Sequence, residues 1–185
     1  MSLTELPEDL PVPLDDGATN HLLGARLPDE VLTSTAGELV TLNQLSGRVV
    51  IYIYPMTGRP DTPLPDGWDE IPGARGCTPQ SCAFRDHFAE LQSLQAKVFG
   101  LSTQTSDYQQ EVKVRLHLPF EILSDTELRL KKTLGLPTFL VDDMELYKRT
   151  TLITVDGGIR KVFYPIFPPG DNAEQVLAWL GDDEL

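Results

Sequence analysis

Both cysteines of the chain, Cys77 and Cys82, stand in one segment, Gly76-Cys77-Thr78-Pro79-Gln80-Ser81-Cys82-Ala83-Phe84-Arg85-Asp86. The stretches on either side restrict what that segment can be. Residues 49–54 form an apolar run closed by Pro55 and read as a strand buried on both faces. Behind the cysteines, Phe84, Phe88 and Leu91 fall at helical spacing, and counting back seven from Phe84 puts Cys77 on the same face. Gly76 gives a flexible entry, Thr78 is the expected N-cap and Pro79 the expected first helical residue. Cys77 then sits at the first turn of a helix, where free N–H groups and the macrodipole favour an anion. A thiolate is an anion and the attacking form of cysteine. The segment reads as a reactive thiol with a second thiol behind it.

The surroundings narrow the chemistry. A net charge of −13 over 185 residues repels nucleic acid and anionic membrane surfaces. No apolar run reaches the ~18 residues of a membrane span. Met1-Ser2-Leu3-Thr4-Glu5 holds neither a basic region nor an apolar stretch, so no secretory leader is expected and a cytoplasmic location is. Two cysteines without a leader indicate redox or catalytic use, not a disulfide scaffold. A zinc site from Cys77, Cys82 and His87 fits no common ligand spacing, and no metal is expected.

The order of elements predicts the fold class. Residues 1–24, rich in Pro, Asp and Glu, read as an extended or partly mobile lead-in, and residues 25–185 as a single domain. Residues 31–33 and 38–42 are expected as an N-terminal β-hairpin around Ala36-Gly37. Residues 56–76, dense in Pro and Gly, form a long loop pinned by Trp68 and Ile71. The helix from Cys77 is expected to run to about Gln95, followed by a strand at 98–102. Ser106 with Gln109, and Ser124 with Glu127, have capping-box spacing and open two further helices around a strand at 120–123. Residues 149–155 and 159–164 form a hairpin about Asp156-Gly157-Gly158, and Asp171 caps a last helix. This is one α/β domain, a mixed central sheet flanked by helices.

The cysteine segment resembles that of atypical two-cysteine peroxiredoxins of the bacterioferritin-comigratory or Q-type group. Tyr54-Pro55 before the loop, Leu118-Pro119-Phe120 with Leu123-Ser124-Asp125, and Arg149-Thr150-Thr151-Leu152-Ile153 with Asp156-Gly157-Gly158-Ile159 are similar to further segments of that family. The resemblance spans residues 25–181 and implies a thioredoxin-like fold. It makes Cys77 the peroxide-attacking cysteine, Cys82 the resolving cysteine and Arg149 the arginine beside the reactive sulfur, with Pro55, Thr57 and Gly76 as substrate-binding candidates. It implies a peroxide substrate, a thioredoxin or similar dithiol reductant, no cofactor, and a monomer or weak dimer. One departure stands out. The family pattern is Pro, three residues, Thr or Ser, two residues, Cys; position 74 here is Ala, and Pro55 lies much farther upstream. The loop carries an insertion at about 56–76, and Thr57 or Thr62 becomes the candidate source of the missing hydroxyl.

The chemistry explains the residue types. A thiolate attacks the O–O bond and becomes a sulfenic acid. The leaving oxygen gains charge, which a fixed cation such as Arg149 stabilises. On an intact helix Cys77 and Cys82 point roughly 140° apart and lie about 7.5 Å apart along the axis. A disulfide needs Cα atoms within ~7 Å and converging Cβ vectors, so the first turns must unwind. Two rival functions fit the same residues: a dithiol–disulfide oxidoreductase or redox sensor with little peroxide turnover, and a non-catalytic thioredoxin-like binding module using loop 56–76.

Overall fold

The computed structural model describes residues 3–182. Strands β1 (Val31–Ser34) and β2 (Leu39–Thr41) form the expected hairpin. Strand β3 (Arg48–Ile53) leads into the long loop, and helices α1 (Cys77–Asp86) and α2 (Phe88–Ser93) follow it. Then come β4 (Ala96–Ser102), α3 (Ser106–Leu116), β5 (Glu121–Ser124) and α4 (Arg129–Thr133). A hairpin of β6 (Thr138–Val141) and β7 (Met144–Tyr147) precedes β8 (Thr150–Val155), β9 (Gly158–Phe163) and α5 (Asn172–Asp182).

Seven strands make one mixed sheet in the order β2-β1-β5-β4-β3-β8-β9. β3, β4 and β5 run parallel, and β8 lies antiparallel to β3. The alternation of β3 shows why this strand is buried twice. Val50 and Tyr52, with Tyr54 just beyond, join the core that holds Phe84, Leu91, Val112 and Val176. Val49, Ile51 and Ile53 join the opposite core, with Leu101, Leu123, Leu130 and Leu22. Each such aliphatic side chain, fully buried, contributes roughly 1.5–3 kcal/mol.

Four local readings change. The helix from Cys77 does not run unbroken to Gln95: His87 leaves helical geometry (φ −96°, ψ 8°) and separates α1 from α2. Its Nδ1 lies 2.7 Å from Glu90 Oε1, so the side chain holds the break. Helix α3 is capped by Thr105, whose hydroxyl accepts from Tyr108 N at 3.3 Å, rather than by Ser106. Gln109 turns inward instead of back to a cap and donates to Ser102 Oγ and Leu123 O, both at 2.9 Å. The N-cap of α4 is Leu128, not Ser124, and the first N–H groups are held by Asp125, which accepts from Arg129 N at 2.9 Å and Leu130 N at 3.0 Å. The β6–β7 hairpin, over residues that carry no glycine at the turn, was not expected. Asp142 takes the left-handed conformation there (φ 48°), a role Asp fills at low cost.

Residues 3–24 hold no strand or helix, yet they pack on the domain. Leu22 is fully buried. Asp16 accepts from Lys148 Nζ at 3.0 Å and Tyr164 Oη at 2.8 Å, and His21 Nε2 lies 3.0 Å from Leu134 O. No helix of the described residues is long and apolar enough to cross a membrane.

Candidate active site

The pairing of β3 with β8 sets the site. Ile53 faces Thr150 across that ladder, so the chain leaving β3 and the residue entering β8, Arg149, meet at one end of the sheet. Pro55 is buried at that end. The inserted loop then folds on its own small core. Trp68 and Ala74 are buried with Val141 and Leu146 of the β6–β7 hairpin, and Met56, Leu64, Ile71 and Phe139 pack against them. The hairpin thus gives the insertion a surface to bury against.

The loop returns at Gly76, whose left-handed backbone (φ 109°) turns the chain into α1. A Cβ at this position would lie 2.7 Å from Pro169 Cγ, so only glycine fits. Gly76 is the N-cap and Cys77 itself the first helical residue, two residues earlier than a Thr78 cap implies. Thr78 and Pro79 both belong to the helix, and Pro79 leaves one fewer backbone donor unpaired.

Arg149 organises this turn. It is 3 % exposed. Its Nη2 donates to Cys77 Sγ at 3.2 Å and to the carbonyls of Gly73, Ala74 and Arg75 at 3.0–3.2 Å. Its Nη1 donates to Gln80 Oε1 at 2.6 Å. Gln80 Nε2 donates to Asn172 Oδ1 at 3.0 Å, which also accepts from Thr151 Oγ1 at 2.7 Å. One buried polar chain therefore ties α1 to β8 and α5. Gln80, Thr151 and Asn172 were not singled out from the sequence. A signal was present for Gln80, an amide between Cys77 and Phe84 on the apolar face of the helix.

Cys77 is 3 % exposed. Its sulfur lies 3.7 Å from Ala74 O and lines a crevice of about 10 Å³, the space of about one water-sized molecule. Met56, Leu64, Trp68 and the charged Arg75 of the loop, Thr78 of the helix and Leu3 of the N-terminal segment are among the residues that line it. A second cavity, of about 480 Å³, is lined in part by Arg149, but Cys77 is not among its lining residues.

Cys82 sits half-buried on the same continuous helix, and both cysteines are free thiols. Burial pushes the Cys82 thiol up, with the nearby Arg85 guanidinium opposing this. Arg85 pairs with Asp86 at 2.8 Å and donates to Leu116 O at 2.9 Å, pinning this end of α1 to α3. The structure thus brings Cys77, Gly76 and Arg149 together and leaves Cys82 across the helix. Thr57 is fully buried, and its hydroxyl and backbone N–H both donate to Gln104 Oε1. Thr62 is exposed. Among the described residues, Thr78 is the one hydroxyl-bearing residue that lines the crevice.

The redoxin family model matches residues 22–177. The chain belongs to the redoxin family. Among its relatives, the chloroplastic peroxiredoxin Q of Oryza sativa subsp. japonica is 30% identical over 158 residues, 85% of this redoxin and 65% of the rice protein. The chain therefore spans just under two thirds of that relative. A Coxiella burnetii protein assigned to peroxiredoxin bcp is 29% identical over 165 residues, 85% of this chain and 97% of its own. The solved peroxidoxin BcpB of Mycobacterium tuberculosis superposes with a TM-score of 0.70 at 24% identity, over 86% of this chain and 96% of that one. The resemblance to the Q-type group and the expectation of a thioredoxin-like fold are both borne out.

Proposed function

We propose that this redoxin is a thiol-dependent peroxidase. One observation carries the reading: a buried guanidinium donates to the sulfur of the cysteine that starts a helix, at 3.2 Å. The same guanidinium is in place to stabilise charge on the leaving oxygen. The Cys77 thiolate attacks one peroxide oxygen. An S–O bond forms, the O–O bond breaks, and its electron pair leaves on the second oxygen, which takes a proton and departs as water or an alcohol. The Cys82 thiol then attacks the sulfenic sulfur, forming the disulfide and releasing water. A dithiol donor of the thioredoxin type returns two electrons and two protons. The protein works in the cytoplasm as a monomer or weak dimer, on hydrogen peroxide or small hydroperoxides.

Intact mass after one equivalent of peroxide tests this. The expected product is two hydrogens lighter than the reduced chain. An unchanged mass, with both thiols still alkylatable, would overturn the reading.

A further inference from the structure

We propose that Asn172 is a positioning residue for the peroxide reaction, setting the plane of the Arg149 guanidinium through Gln80. The proposal rests on the peroxidase reading and adds to it a residue that does not touch the sulfur.

The need for such a residue lies in Arg149 itself. Its Nε is buried and meets no partner among the described residues, so the two Nη groups alone fix the plane of the fork. Nη2 is held at the start of α1 by Cys77 Sγ and the carbonyls of Gly73, Ala74 and Arg75. A planar fork held at one end can pivot about it. Nη1 supplies the second point, and among the described residues the acceptor it meets is Gln80 Oε1, at 2.6 Å. The aim of the charge therefore depends on which way the Gln80 amide faces.

Gln80 carries an acceptor at one corner of its amide and donors at the other. Arg149 has donors only, so Gln80 must turn its oxygen to Arg149 and its nitrogen away. That nitrogen needs an acceptor, because Gln80 is fully buried and an unpaired donor there is costly. Asn172, also fully buried, supplies it: its Oδ1 accepts from Gln80 Nε2 at 3.0 Å. Thr151 Oγ1 donates to the same oxygen at 2.7 Å and braces it. Asn172 Nδ2 meets no partner among the described residues. An amide whose oxygen accepts twice while its nitrogen goes unpaired is placed for its acceptor.

The fold brings these groups into register. Thr151 follows Arg149 by two residues, the spacing that returns an extended chain to one face. Asn172 opens α5, and Pro169 just before it packs 2.7 Å from where a Cβ on Gly76 would lie. The turn into α5 thus backs the start of α1 at two points, Gly76 and Gln80.

The test measures two second-order rate constants for loss of the Cys77 thiol in the reduced full chain, one with hydrogen peroxide and one with iodoacetamide, read on the Cys77 peptide by mass spectrometry. Both reagents need an accessible, nucleophilic sulfur, but only the peroxide has a leaving oxygen for Arg149 to stabilise. Their ratio therefore cancels general damage to the site. Asn172→Leu keeps the size of the side chain and removes the acceptor. It should lower the ratio at least about 10-fold, within the ~100-fold that a 1 Å misplacement can cost. Thr151→Val removes only the brace and should lower it about 3-fold, the size of one neutral hydrogen bond. In a Gln80→Leu background, Asn172→Leu should lower it no further, because the two groups act in series. An unchanged ratio in folded Asn172→Leu would overturn the proposal; if that variant does not fold, an unchanged ratio in Thr151→Val would do so. A full further loss in the Gln80→Leu background would also overturn it, since Asn172 would then act by another route. If iodoacetamide alkylates Cys77 in the unmodified chain but hydrogen peroxide leaves it untouched, the peroxidase reading fails and the proposal falls with it.

Discussion

At the scale of single residues, Arg149 does the most. One buried fork serves a sulfur, three carbonyls and an amide oxygen. Its planar geometry suits this, and it keeps its charge. Arg149→Met is expected to slow the first oxidation about 10²–10³-fold, the cost of losing one preorganised charge-stabilising donor. Stopped-flow oxidation by hydrogen peroxide measures it, and an unchanged rate in a folded variant would remove Arg149 from the chemistry. Cys77→Ser is expected to abolish peroxide consumption while the circular dichroism spectrum is kept. Any sustained turnover by that variant would mean another group is the nucleophile. The sequence singled out both partners of the guanidinium–sulfur contact, Cys77 through helix periodicity and Arg149 through resemblance. Gln80 was not singled out, because its significance depends on Asn172, 92 residues away.

At the scale of elements, α1 holds a conflict. It is intact from Cys77 to Asp86, which separates the two sulfurs that the proposed peroxidase cycle joins. Unwinding its first turns must release Gln80 from Arg149 and Asn172. A hydrogen bond to a charged group is worth about 1.5–3 kcal/mol, so this is a real resistance. Oxidation should still lower amide protection over residues 77–83 while β3 and β8 stay protected. Hydrogen exchange on reduced and oxidised samples reads this directly, and equal protection of the segment would rule out unwinding. Cys82→Ser should react once with peroxide and then accumulate sulfenic or sulfinic acid, since no internal thiol traps it. A second element-level expectation concerns Asp125, which is 1 % exposed, accepts the first two backbone N–H groups of α4 and accepts from Tyr147 Oη at 2.6 Å. Asp125→Ala strands those donors and should cost about 2–4 kcal/mol in a urea melt. A shift below about 0.5 kcal/mol, the size of an ordinary surface change, would show that these contacts carry no stability.

At the scale of the whole molecule, the N-terminal segment is held by a charge. Hydrogen bonds from Lys148 and Tyr164 hold the Asp16 carboxyl down at about 2. An unfolded aspartate titrates near ~3.9, so the unfolded chain binds this proton first as pH falls. The clamp's stabilisation is therefore complete above about pH 4 and lost as pH falls through about 2. Asp16 is part-exposed, so the effect is small. Asp16→Asn should melt lower than the unmodified chain at pH 6, and the gap should close towards pH 2. Parallel melting-temperature curves across that range would show that the clamp is not coupled to folding. The many other carboxylates titrate in both proteins, so the difference isolates Asp16.

Local order and the placing of Cys77 in the first turn of a helix were written in the sequence itself. Period and punctuation marked β3, the cysteine helix, the N-terminal hairpin and the β8–β9 hairpin, because each depends on neighbours a few residues apart. The missing hydroxyl at Ala74 was equally plain. Tertiary structure alone decided the rest. It turned Thr57 to Gln104 and put Thr78 in the crevice. It moved the helix start to Gly76, where Pro169 leaves no room for a Cβ. It built the β6–β7 hairpin as the bed for the inserted loop and brought Leu3 to the crevice that Cys77 lines. Each of these rests on contacts between residues far apart in the chain, whose distances follow from packing and leave no periodic trace in the residues that make them.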